Sequence, residues 1–150
     1  MKKLLFLSLL VISGFAISAQ TLQFRTTNGK AVPYGRYQTT TTEDSALNTL
    51  DSMVIADNSA GLIEVSVVAA DTSGNGVTGK QIYRYHKSAG TLTLSSATNI
   101  SAIVTDTGLG TATYTFTKVD DNLVLKVKGK HTVPVKWKAL IVPMNITNSP

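Results

Sequence analysis

Apolar and polar residues change places at every second position along much of the chain, and this period of two predicts strands. The sharpest case is Leu62–Ala70, where Ile63, Val65, Val67 and Ala69 share one face and Glu64 and Ser66 the other. In Lys80–Lys87, Tyr83 and Tyr85 oppose Arg84 and His86; in Ala112–Lys118, Tyr114 and Phe116 oppose Thr113, Thr115 and Thr117. Leu123, Leu125 and Val127 alternate with Lys126 and Lys128. Across Val135–Val142, Val135, Trp137, Ala139 and Ile141 face away from Lys136 and Lys138. Weaker strands are expected at Gln20–Arg25, Thr91–Leu94 and Ile100–Thr105.

The breaks between these runs carry turn chemistry. Asn28-Gly29, Asp71–Gly79 with its three glycines, Ala89-Gly90, Gly108 with Gly110, Asp120-Asp121-Asn122 and Gly129–Thr132 are the expected turns. Pro33 and Gly35 should keep their stretch irregular or at a sheet edge. Thr39–Asp44, polar and β-branched, reads as a lead-in segment rather than core. Asp44–Asp51 is the one place where a helical turn is expected, from Ala46, Leu47 and Leu50 after Ser45. About eight short strands at this spacing predict an all-β fold, a single antiparallel β-sandwich of jelly-roll-like type, over residues 39–144. Residues 20–38 are then an N-terminal arm and residues 145–150 a C-terminal tail.

The last strand carries two further expectations. Trp137 brings a large apolar area in a strongly alternating run, which places it in the core. Leu140 and Val142 follow Lys136 and Lys138 on the opposite face, so the strand ends apolar on both faces. Such an end is covered on both faces, by this chain or by a second subunit. Leu140 and Val142 are therefore the candidate self-association interface.

Composition narrows the chemistry. The chain has 150 residues, 43% hydrophobic, with no Cys and two His, His86 and His131. Without Cys there are no disulfides, thiolate metal sites or Cys nucleophile. No G-x-S-x-G motif occurs, and neither His has a carboxylate at a spacing that would orient it as a base. Asp71-Thr72-Ser73-Gly74-Asn75-Gly76 echoes the start of a calcium loop. The twelfth position of that loop is Ile82, where a bidentate Glu is needed, so the stretch reads as a turn. The expectation is a non-enzyme with no metal and no cofactor.

Residues 1–19 have the form of a secretory signal peptide. Lys2 and Lys3 precede an apolar run that ends in Ile17-Ser18-Ala19. Leu4 to Ala19 is short of the ~20 apolar residues of a spanning helix, so the mature chain is expected to be exported without a membrane span. Cleavage removes two of 14 basic residues and leaves 12 against 9 acidic ones. That balance does not by itself make a nucleic-acid binder.

Half of those basic residues, Lys118, Lys126, Lys128, Lys130, Lys136 and Lys138, fall in one C-terminal region. Brought together by adjacent strands, Lys126, Lys128, Lys136 and Lys138 would form a positive strip for an acidic glycan, a lipopolysaccharide phosphate or an acidic protein. Spread over a sheet face, they are solvated lysines that discourage edge-to-edge aggregation. Tyr34, Tyr37, Tyr83 and Tyr85 offer rings for sugar stacking, or side chains for core packing. A secreted carbohydrate-binding module is the alternative function these residues define.

The order of segments resembles a small all-β module of tailed-phage structural proteins, found in fibres, spikes and capsid decorations. The resemblance is carried by the Thr-rich Thr39–Asp44, by Asp57-Asn58-Ser59-Ala60-Gly61-Leu62-Ile63-Glu64-Val65, and by the Tyr-containing Lys80–Lys87. It closes with Leu123-Val124-Leu125-Lys126-Val127-Lys128-Gly129, Thr132 and Val135-Lys136-Trp137-Lys138-Ala139. It implies a non-enzymatic component of a virion or exported surface assembly, self-associating, often as a trimer, and attaching to a surface protein or glycan.

Overall fold

The computed structural model describes residues 21–27 and 30–147, with side chains over 35–144. Ten strands run through them: β1 Thr21–Thr27, β2 Lys30–Thr42, β3 Leu47–Val54, β4 Ser59–Asp71, β5 Gly76–Ser88, β6 Thr91–Leu94, β7 Thr98–Thr105, β8 Thr113–Val119, β9 Asn122–Lys128 and β10 Val135–Thr147. A single 3-10 turn, Thr107–Leu109, leads from β7 to β8. The expected signal peptide and the Asn28-Gly29 turn lie outside the described residues.

The strands form two antiparallel sheets of unequal size, packed as a sandwich. The larger has the order β1-β2-β10-β4-β5-β6, with β7 also against β5; the smaller is β3-β9-β8. The inward positions are those the alternation marks: Ile63, Val65, Val67 and Ala69 of β4, Val135, Trp137, Ala139 and Ile141 of β10, and Leu123, Leu125 and Val127 of β9 are all buried. Trp137 is fully buried at the centre. Its indole Nε1 donates to Thr42 Oγ1 at 2.9 Å, which satisfies its one polar group.

Hairpin geometry follows local residue chemistry. Ser88 pairs with Thr91, so Ala89 and Gly90 alone make the turn, both at positive φ (48° and 75°). Asp71 shapes the β4–β5 turn with its side chain, accepting from the amides of Ser73 and Asn75 and from Asn75 Nδ2 at 2.8–2.9 Å. Its carboxyl is accordingly held below its usual value, chiefly by the Asn75 side chain. This is the Asp71-to-Gly76 stretch that echoes a calcium loop.

Two expectations are corrected. Thr39–Thr42 is not a lead-in: it is part of β2, paired with β10, and Thr42 is buried beneath the indole. A polar β-branched residue goes inside because Trp137 needs an acceptor there. Asp44–Asp51 forms no helical turn; Asp44 Oδ1 accepts from Ala46 N and Asn48 Nδ2, and the chain then enters β3. A bulge between Thr49 and Asp51 turns both Leu50 and Asp51 inward, which gave the sequence its false helical spacing. Within the stretch expected as an N-terminal arm, residues 21–27 form β1, paired to β2, and Arg36–Thr42 of β2 pair with β10. The described β2–β10 ladder begins only at Arg36. Pro33 thus sits where β2 pairs with β1, next to a bulge, as its missing N–H requires. Strand β10 continues to Thr147, beyond the Val135–Val142 expected of it.

Candidate functional site

Each sheet turns one face to the core and one outward, and register fixes what meets on the outer faces. On β10, Lys136 and Lys138 lie outward beside Ala70 and Val68 of β4. Lys126 and Lys128 lie outward on β9, beside Thr115 and Thr113 of β8. The two lysine pairs thus belong to opposite outer faces of the sandwich, and the single positive strip does not form. Two other lysines of the region brace the fold: Lys130 Nζ donates to Gly108 O at 2.7 Å and Lys118 Nζ to Leu92 O at 2.8 Å.

Tyr83 and Tyr85 are core residues, 6% and 5% exposed. Tyr83 stacks at a tilt on Phe116, centroids 5.0 Å apart, and donates its hydroxyl to Gln81 Oε1 at 2.9 Å. Burial pushes both phenols above their usual value. Neither ring is presented to solvent as a stacking face. His86 and His131 are both exposed, His86 outward on β5 and His131 in the loop after β9. Among the described residues no group of three or more His, Cys, Asp or Glu could hold a metal ion.

Leu140 and Val142 occupy the middle of the large sheet's outer face, half-buried, against the backbone of Gly35. They do not stand alone. Met144 is 52% exposed and directly opposite Leu62, while Val142 and Ile82 flank Glu64 from either side. Leu62, Ile82, Leu140, Val142 and Met144 therefore make one apolar patch from three adjacent strands. Glu64 within it is neutralised by Lys80 at 2.9 Å, and exposed Arg84 stands beside Leu62 at its rim. Leu62 and Ile82 escaped the sequence reading because they lie on faces that Glu64 and Arg84 mark as polar.

The two seams between the sheets differ in chemistry. Where β2 meets β3, Asp51 is buried and pairs with Arg36 at 2.9 Å, and Ser52 N donates to the same carboxylate oxygen at 2.8 Å. Desolvation raises the Asp51 carboxyl above its usual value, against the opposing pull of Arg36. Gln38 is buried alongside. Where β6 and β7 face β8, a cleft of about 740 Å³ opens instead, its lining including Leu94, Ser95, Ile103, Thr115 and Phe116. Lys118 crosses it to Leu92 O.

Comparison with known proteins adds little to this geometry. No family model and no curated protein matches the chain. Among solved structures it is similar to the tailspike protein of Acinetobacter baumannii phage AM24, with a TM-score of 0.34 and 13% identity. The match covers 75% of this chain and 27% of the tailspike, so the chain spans about a quarter of that protein's length.

Proposed function

We propose that this chain is a non-catalytic structural or attachment module of a virion or exported surface assembly, self-associating through the outer face of its larger sheet. The observation that carries the reading is the patch of Leu62, Ile82, Leu140, Val142 and Met144. A solvated outer sheet face is ordinarily polar, and contiguous apolar residues there favour a partner surface. The occupant is a second copy of the chain. Lys136 and Lys138 sit at the far end of β10 from Met144, so two patches meeting about a two-fold axis keep these like charges at opposite extremes. The Glu64–Lys80 pair leaves the centre of the patch without net charge, so like charges do not oppose the contact there.

Light scattering on the purified protein tests this directly. Self-association is expected, and Met144→Lys should reduce it while leaving the thermal transition in place, because the residue is half-exposed. A monomer mass at the highest soluble concentration would remove the reading. Export and assembly are tested separately by intact mass of protein recovered from culture medium or from purified particles.

A further inference from the structure

The β4–β5 turn carries the dipeptide Asn75-Gly76, in which the Gly76 nitrogen can attack the Asn75 side-chain amide. Glycine following asparagine gives this reaction its least hindered nucleophile. In the structure both reacting groups are held. Gly76 N donates to Asp106 Oδ2 at 2.7 Å, and Asp106 N donates back to Gly76 O at 2.9 Å. Asp106, from the end of the β7 ladder, thus grips the peptide groups on both sides of the Gly76 α-carbon. The Asn75 amide donates to Asp71 Oδ2 at 2.8 Å and packs so closely on Gly108 that a β-carbon at 108 would collide with it.

We propose that Asn75 is a deamidation site and that the Asp106 carboxylate is its guard. In the reaction the Gly76 nitrogen forms a bond to Asn75 Cγ and gives up its proton. The Cγ–Nδ2 bond breaks, and ammonia leaves carrying that proton. Water then opens the five-membered imide at either carbonyl, giving an α- or β-aspartyl linkage. No oxidant or cofactor enters. A carboxylate accepting the Gly76 N–H opposes this course twice: it pins the nitrogen in the sheet register, and its charge disfavours loss of the amide proton. Once formed, the product would place a third carboxylate beside Asp71 and Asp106. The β-linkage would also lengthen the backbone where β5 begins its pairing with β4 and β7, so one unguarded event loosens that corner permanently.

The test is ageing of the full-length chain in mildly alkaline buffer, followed by peptide mapping and cation-exchange chromatography. Wild type should deamidate at Asn75 at least about tenfold more slowly folded than unfolded in guanidinium. Asp106→Ala should accelerate the folded-state reaction by about tenfold, the factor that one hydrogen bond to a charged acceptor represents. Asp106→Asn, which keeps an acceptor without its charge, should fall between. Equal rates in wild type and both variants would overturn the guard role. Slower ageing in the variants would overturn it too, since the carboxylate would then be acting as a base. Should Asp106→Ala fail to fold, the Asp106→Asn comparison and the folded-to-unfolded ratio decide the matter.

Discussion

The two long seams of the sandwich solve the same problem in different ways. Along β2 and β3 the sheets are joined by a polar pair, partly buried Arg36 with buried Asp51, while the buried Gln38 amide beside them has no hydrogen-bond partner among the described residues. Gly129 belongs to this seam as well, because a β-carbon there would strike the Thr42 hydroxyl. Along β6, β7 and β8 the join is incomplete, an aromatic pair in a cleft crossed by one lysine, with Thr105 Oγ1 of β7 donating to Ala112 O ahead of β8. The closed seam is specific and intolerant, since a buried group that loses its partner keeps its desolvation cost. The open seam is adaptable, since its apolar contacts are non-directional and the lysine tie across its cleft is only part-buried.

The largest effect should come from the core beside the closed seam. Trp137→Ala removes the biggest buried side chain and orphans the Thr42 hydroxyl, for an expected loss of about 3–5 kcal/mol in denaturant unfolding. Arg36→Met should follow at about 3 kcal/mol, because Asp51 is then left buried without its cation. Arg36 is partly exposed, which places the figure at the lower end for a broken buried pair. A loss under about 0.5 kcal/mol, the size of a surface ion pair, would erase the contrast between the seams.

A third effect lies in the core between the seams. Gly79 of β5 has no room for a β-carbon: it would lie 2.5 Å from the Tyr114 hydroxyl. That hydroxyl is buried without a hydrogen-bond partner among the described residues, and burial, with Tyr83 nearby, pushes it up to about 12. Gly79→Ala should cost about 1–3 kcal/mol through overpacking. Tyr114→Phe alone should leave stability unchanged or raise it, and the double variant should recover part of the Gly79→Ala loss, the ring carbons at 3.0 and 3.1 Å staying in place. Additive losses in that cycle would mean the clash is absorbed elsewhere.

The carboxylates sharpen the comparison through pH. Asp51 titrates above its ordinary 3.8 in the folded protein. As pH rises past 3.8 the unfolded chain releases this proton first, so the Asp51 contribution falls with pH until the folded carboxyl also ionises. Asp71, held low by its turn, acts in the opposite sense: its contribution is present above 3.8 and lost as pH falls through its lowered value. The stability of wild type minus that of Asp51→Asn should therefore decline with rising pH above 3.8. A difference that climbs instead would show Arg36 outweighing burial.

Most of the sandwich was legible because alternation writes burial into sequence, and β4, β9 and β10 point inward at the positions expected. What was hidden was mostly polar. Thr42 and Asp51 look like surface residues until Trp137 and Arg36 arrive from 95 and 15 positions away to satisfy them. The lysines show the opposite limit. Lys126 and Lys136 are close in sequence and both outward, but the loop after β9 crosses between sheets and sends them to opposite faces. Leu140 and Val142 were readable as a two-faced strand end; Leu62, Ile82 and Met144 joined them only through register.

The smallest expected effect belongs to the open seam, and it is the one that tests whether that seam is adaptable. Lys118→Met removes the hydrogen bond to Leu92 O and leaves an apolar stem able to lie over Phe116 and Leu92. The bond is only part-buried and Lys118 itself is exposed, so the loss in unfolding free energy should be about 1 kcal/mol, the low end for a carbonyl that loses its donor. Hydrogen exchange should respond more than global stability. Amides of β6 and of the Ser95 bridge to Arg84 should exchange faster in the variant, with those of β2 and β3 unchanged, because local opening there no longer breaks a tie between sheets. Protection lost equally at both seams would mean Lys118 holds the whole sandwich and the distinction between its sides is false.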